Sequence, residues 1–255
     1  VRTVLELEIK WYENSKSAVE SFKTLRDKIS QAGVIVMMSG IVGNNTHRPL
    51  DINEFRAFAM VDDLVPLIFI NSNDSVNGKL FSLLHEFAHI CIGNNSLYND
   101  RYSSGTRVSK AESVSNAVAA EILVPQVMFE KKWKEIDKFD DPIKTIDALT
   151  KYFSCGTTVI ARKALDNGYI DYSVYRQLSQ IAVNRYNEKR KKEKEQGGGG
   201  DYYRTAASRI DTRFFKSLVS SVHEGKTLYT DAFRLTNTNR STFENLVNKM
   251  GGGSK

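Results

Sequence analysis

The segment His85-Glu86-Phe87-Ala88-His89 constrains this chain more than any other stretch of it. An α-helix turns once in about 3.6 residues, so two imidazoles four positions apart stack on one face. From there two neutral ring nitrogens can converge on one metal ion, with the Glu86 carboxylate within reach of a water beside it. Leu80, Leu84, Phe87 and Cys91 fall on the face opposite the histidines and are expected to anchor the helix in a core. Asn77-Gly78 and Gly93-Asn94 supply turn residues at its two ends. The plainer alternative is a pair of surface or hydrogen-bonded core histidines that match a pattern by chance.

Catalytic zinc sites use three protein ligands and leave a fourth position open, so two histidines require a third donor from another element. The stretch from Lys110 to Pro125 predicts a second helix, ended by the proline. Glu112, Asn116, Ala119 and Leu123 share one of its faces, and the small Ala119 and Ala120 permit close approach to the histidine helix. Glu112 is therefore the expected third ligand. Glu121 is the competing carboxylate, on the opposite face.

At these residues the chain resembles the ImmA/IrrE metallopeptidases, which pair HExxH with a later Glu-x-x-Ala-Asn-x-Phe-Ala-Ala-x-hydrophobic-Leu-hydrophobic-Pro. The likeness extends upstream through Asn45-Thr46-His47-Arg48-Pro49-Leu50-Asp51, Glu54-Phe55-Arg56 and Pro66-Leu67-Ile68-Phe69-Ile70-Asn71. It extends downstream to Tyr202-Tyr203-Arg204-Thr205 through Thr236-Asn237-Thr238, similar to a C-terminal extension of some members. Ser115 and Val118 depart from the pattern, where alanine and an aromatic residue are usual, and bear on packing rather than on ligation.

The resemblance implies an α+β, zincin-like core with a small sheet and the HExxH helix, followed by helical segments. It implies a zinc-dependent endopeptidase with one Zn2+ ion, whose members cleave a helix-turn-helix repressor and so switch genes of a mobile element or a stress response. The residues themselves support a mononuclear metal hydrolase. In it His85, His89 and Glu112 hold the ion, and Glu86 serves first as general base and then as general acid. Leu67-Ile68-Phe69-Ile70 predicts a strand, which the family places at the sheet edge, where main-chain groups can pair with an extended substrate; a buried strand fits the same residues. Candidate substrate contacts are Phe69, Ile70, Asn71, His47 and Arg56. The oxyanion donor is open among His47, Arg56, Tyr98, Tyr102 and Arg107.

The expected organisation is a peptidase core over residues 1–130, a helical segment over 131–196, a glycine linker at 197–200 and a small helical module over 201–250, with a tail from Gly251 to Lys255. The 255 residues with 41% hydrophobic content suffice for one sizeable core. No apolar stretch is long enough to span a membrane, and two cysteines, Cys91 and Cys155, form no disulfide framework, so a cytoplasmic setting is expected. Val1 in place of an initiator methionine suggests a start inside a longer protein, whose missing part in the family is often a DNA-binding domain.

A rival reading is a DNA- or protein-binding regulatory module in which the metal is structural or the peptidase is latent. Residues 143–165 have the rhythm of a helix-turn-helix with Arg162 and Lys163 available to phosphates, and the formal charge is +6. A packing hairpin explains the same pattern. In the last region Ala206, Ile210, Phe214, Leu218 and Val222 predict one amphipathic helix, and Ser241 to Glu244 a capping box for the next. Its aromatics among arginines suit either nucleic acid or a small helical module packed on the core.

Overall fold

The structure is a computed structural model that describes residues 1–98, 109–136, 141–195 and 202–250. Helix α1 (Ala18–Gln31) starts at Ser17, whose hydroxyl accepts the Glu20 N–H, and its buried Phe22, Leu25 and Ile29 face the core. Five strands follow: β1 (Ile35–Ser39), β2 (Ile41–Val42), β3 (Asn45–Pro49), β4 (Ala57–Met60) and β5 (Leu67–Asn71). Then come α2 (Val76–Cys91), β6 (Ser96–Tyr98) and α3 (Lys110–Leu123). The main sheet has the order β1-β5-β4-β6, with β1 parallel to β5 and the other pairs antiparallel, while β2 and β3 form a separate hairpin.

Alternation along the strands sends Val36, Ala57, Ala59, Ile68 and Ile70 inward, all of them buried, against α2. Phe58 and Phe69 lie on the other face, stacked with ring centroids 5.2 Å apart. Helix α2 is enclosed between the sheet, α1 and α3, and every residue from Ser82 to His89 is buried. It is therefore a central helix rather than a one-sided amphipathic one. Cys91, expected in the core, is exposed at its end. The helix begins at Ser75, whose hydroxyl accepts the Gly78 N–H, so Asn77 and Gly78 belong to its first turn. Gly78 is required there because a Cβ would strike the buried Asp74 carboxylate.

The remaining helices are α4 (Gln126–Ile136), α5 (Pro142–Tyr152), α6 (Thr157–Asp166), α7 (Tyr172–Glu195), α8 (Tyr202–Arg209), α9 (Thr212–His223), α10 (Tyr229–Thr236) and α11 (Arg240–Met250). Ile146, Leu149, Ile160, Ala161 and Ala164 of α5 and α6 join the main core, together with Phe129 and Trp133 of α4. The last four helices have a core of their own, built on Phe215, Leu218, Val222, Ala232, Phe243 and Leu246.

Two expectations for that module change. The single helix through residues 206–222 is two, because Asp211 breaks it and caps α9 by accepting the Phe214 N–H at 2.9 Å. The last helix is capped by Asn239, which accepts the Thr242 N–H at 2.9 Å, and not by Ser241. Both are Asx caps, which compete with helix continuation wherever tertiary packing favours a bend. The linker at 197–200 and the tail at 251–255 lie outside the described residues. Among the described residues, no helix is long and apolar enough to cross a membrane.

Candidate metal centre

Helices α2 and α3 pack side by side and bring three donors together. His85 Nε2 and His89 Nε2 are 3.1 Å apart, and the two Glu112 oxygens lie 3.2 Å from the first and 3.1 Å from the second. Tetrahedral zinc with ligand bonds of about 2.0–2.1 Å needs donors about 3.3 Å apart, and the separations here are close to that, so the three side chains could hold such an ion. His85 and His89 are buried, while the Glu112 side chain is 35% exposed, so the carboxylate lies on the open side. Helix α3 begins at Ser109, whose hydroxyl accepts the Glu112 N–H. Instead of folding back as in a capping box, the Glu112 side chain reaches the histidines.

Protonation suits ligation. Burial is the largest influence on His85, with the neighbouring His89 second, and its pKa falls to about 3. Burial also lowers His89, against the pull of Glu112. Neutral imidazole is the form that binds a metal. His85 Nδ1 lies 3.0 Å from Asn116 Oδ1, an acceptor, so the proton sits on Nδ1 and the Nε2 lone pair is presented to the site. Asn116 follows Glu112 by one helical turn, so one face of α3 supplies a candidate ligand and orients another.

Glu86 is fully buried, and burial raises its carboxyl to a pKa of about 8, a rise that the Ser96 hydrogen bond opposes. Ser96 on β6 donates its hydroxyl to Glu86 Oε2, while Glu86 Oε1 has no hydrogen-bond partner among the described residues. A buried carboxyl with one oxygen held and the other unpartnered fits a proton carrier beside a bound cation. Pattern reasoning missed Ser96, because a lone serine beyond the helix carries no periodic signal.

The other candidates have roles in the fold or lie at its surface. Strand β5 is central, paired on both sides, so Leu67 to Ile70 is not an edge that could take a substrate. Ile70 belongs to the core against α2, and Phe69 is on the face away from it, in the aromatic group with Phe55 and Phe58. Asn71, the last residue of β5, is buried, donating to the Phe55 carbonyl and accepting the Asn73 N–H. Arg56 Nη1 donates to both Asp74 oxygens, at 3.1 and 2.9 Å, which ties the entry of α2 to the loop before β4. His47 lies on the exposed β2–β3 hairpin. The Tyr98 side chain, Tyr102 and Arg107 lie outside the described residues.

Glu121 is turned away from the histidines and pairs with Lys163 Nζ at 2.8 Å. Lys163 also donates to the Val124 carbonyl, closing the end of α3. Arg162 Nε pairs with Asp166 at 2.9 Å. Of the two basic residues expected to reach DNA from 143–165, Lys163 is thus engaged within the fold, whereas the Arg162 side chain stays 62% exposed. Ser115 is buried and its hydroxyl has no partner among the described residues, so the departure from alanine is a packing cost.

Residues 33–165, just over half of the chain, match the model of a peptidase family described as the IrrE N-terminal-like domain. The chain belongs to the ImmA/IrrE family. That match spans the sheet, α2 and α3, and runs on through most of α6. A second match, over residues 210–249, is to a domain of unknown function and covers α9 to α11. No curated protein and no solved structure matches the chain.

Proposed function

We propose that this ImmA/IrrE family member is a zinc-dependent endopeptidase. The observation that carries the reading is the convergence of His85, His89 and Glu112 beside a buried Glu86 with one oxygen unpartnered. A zinc ion held by those three side chains would supply Lewis acidity, acidifying a water to a pKa of about 7 and polarising a peptide carbonyl. Glu86 takes a proton on Oε1 while Ser96 holds Oε2, then returns it to the leaving amine nitrogen. Asn116 keeps His85 in the ligating tautomer.

Strand β6 replaces β5 as the docking edge. Among the described residues it pairs with β4 alone, and it carries Ser96, so a substrate strand added there lies next to Glu86. The substrate class favoured by the family resemblance is a helix-turn-helix repressor.

The test has two parts. Zinc is measured in the purified wild type, His85→Ala and Glu112→Ala; a near-stoichiometric ion lost in both variants supports the site. New N-termini are then sought in a proteome-derived peptide library, with Glu86→Gln as control. A folded wild type that takes up no zinc, or cleavage that survives Glu86→Gln, refutes the proposal.

A further inference from the structure

We propose that the C-terminal module is a duplex-DNA-binding unit, with α11 as the helix that enters the major groove and the β2–β3 hairpin beside it.

Helices α9, α10 and α11 share one apolar core, with Phe215, Ala232, Phe243 and Leu246 all buried. Between α10 and α11 lie three residues, Asn237 to Asn239. Asn237 adopts the left-handed conformation (φ 52°, ψ 46°), and the Thr238 N–H returns to the Phe233 carbonyl at 2.9 Å. Two short helices joined by a three-residue turn through a left-handed residue, over a third helix, make the helix-turn-helix unit. In such units the start of the second helix meets base edges.

The start of α11 carries suitable chemistry. Arg240, Ser241, Glu244 and Asn248 are exposed and Asn245 is half-exposed, whereas Thr242, Phe243 and Leu246 are buried. Arginine and asparagine read guanine and adenine edges. Further basic side chains are exposed on α10 and on the hairpin: Arg234, with a side chain 81% exposed, and His47 and Arg48. The hairpin is fixed to the turn, for Asn44 Nδ2 donates to the Asn237 carbonyl at 2.7 Å.

Residues 202–250 hold eight Lys and Arg against four Asp and Glu, and one of those four, Asp211, is buried where the module meets the core. Two of the remaining acids sit in exposed pairs, Arg240–Glu244 and Arg234–Asp231. Pairs of that kind are weak enough to yield to a phosphate or a base edge. The α5–α6 hairpin differs at Lys163, which is largely covered and bound to the end of α3, while its Arg162 sits in an exposed pair with Asp166 like that of Arg240.

The module docks on β1, at the opposite edge of the sheet from β6. The binding face and the Glu86 site are therefore separate, and DNA binding needs neither Glu86 nor the metal group.

The experiment is fluorescence anisotropy of the full chain with a labelled mixed-sequence duplex of about 30 bp, between about 50 and 200 mM salt. Expected is binding that weakens steeply with salt. Arg240→Glu and Arg48→Glu each weaken it by about tenfold. Glu244→Gln tightens it, a gain that a misfolded variant cannot mimic, and Arg162→Glu on α6 leaves it unchanged. Background binding by the folded chain, as for a module that recognises a protein instead, overturns the proposal. So does binding indifferent to Arg240→Glu, or lost equally in Arg162→Glu.

Discussion

Two buried carboxylates divide this molecule between structure and chemistry. Asp211 is 2% exposed and fully satisfied, with Oδ1 accepting from the Ser30 hydroxyl and the Phe214 N–H and Oδ2 from the Val36 N–H. It caps α9 and closes the edge of β1 in one stroke, and Arg26 and Arg213 support the same joint by donating to carbonyls across it. Glu86 is buried as completely, yet one of its oxygens has no partner among the described residues. A buried carboxylate oxygen left unpartnered costs about 1–3 kcal/mol, a cost that a proton or a water beside it would relieve. Burial alone does not separate these two carboxylates; the number of their oxygens that are satisfied does.

The comparison can be broken first at Glu86. Glu86→Gln is expected to cut peptide hydrolysis by about 10²–10⁴-fold while zinc content is kept and the denaturation midpoint is equal or higher. A lowered midpoint with hydrolysis intact would make Glu86 the structural residue of the two.

Asp211→Ala is expected to do the reverse. It removes a helix cap and strands the Val36 N–H, costing about 1–3 kcal/mol in urea denaturation, with zinc content unchanged. Asp211→Asn, which can still cap α9, loses less.

Asn116→Leu tests whether orientation matters as much as ligation. Zinc affinity measured by chelator competition should fall by about 10–100-fold, the usual effect of losing a group that orients a metal-binding histidine. Ser96→Ala, which frees the second oxygen of Glu86, should lower kcat by about tenfold with KM and zinc content kept, and Ser96→Thr should restore it.

The smallest effect distinguishes the two cysteines. Cys155 is buried and burial pushes its thiol up to about 12, so it should react with a thiol reagent only on unfolding. Exposed Cys91 should react in the native state.

Much of the site was legible in the sequence because it is local. The spacing of His85 and His89 within one helix, and of Glu112 and Asn116 within another, follows from helical periodicity, and small alanines announce the close packing of the two. What failed was pairing between distant segments. The Leu67 to Ile70 run is equally consistent with an edge or a central strand, since strand propensity carries no information about neighbours. Phe69, Ile70 and Asn71 were candidates through that strand, and Arg56 and His47 through their donor groups; Phe69 joins an aromatic group, Ile70 the core, Asn71 and Arg56 hydrogen bonds of the fold, and His47 an exposed hairpin.

The sequence by itself determined the α+β class, the helix that carries His85 and His89, its partner helix and the residues that meet between them, because these depend on periodicity within single elements. Only the tertiary structure decided which strand forms the edge, that Ser96 holds Glu86, and that Asp211 joins the last module to β1. It also covered Lys163 of one helical hairpin while leaving Arg234 and Arg240 of the other exposed. Those outcomes depend on hydrogen bonds and burial between residues far apart in the chain, and these are set only when the layers pack.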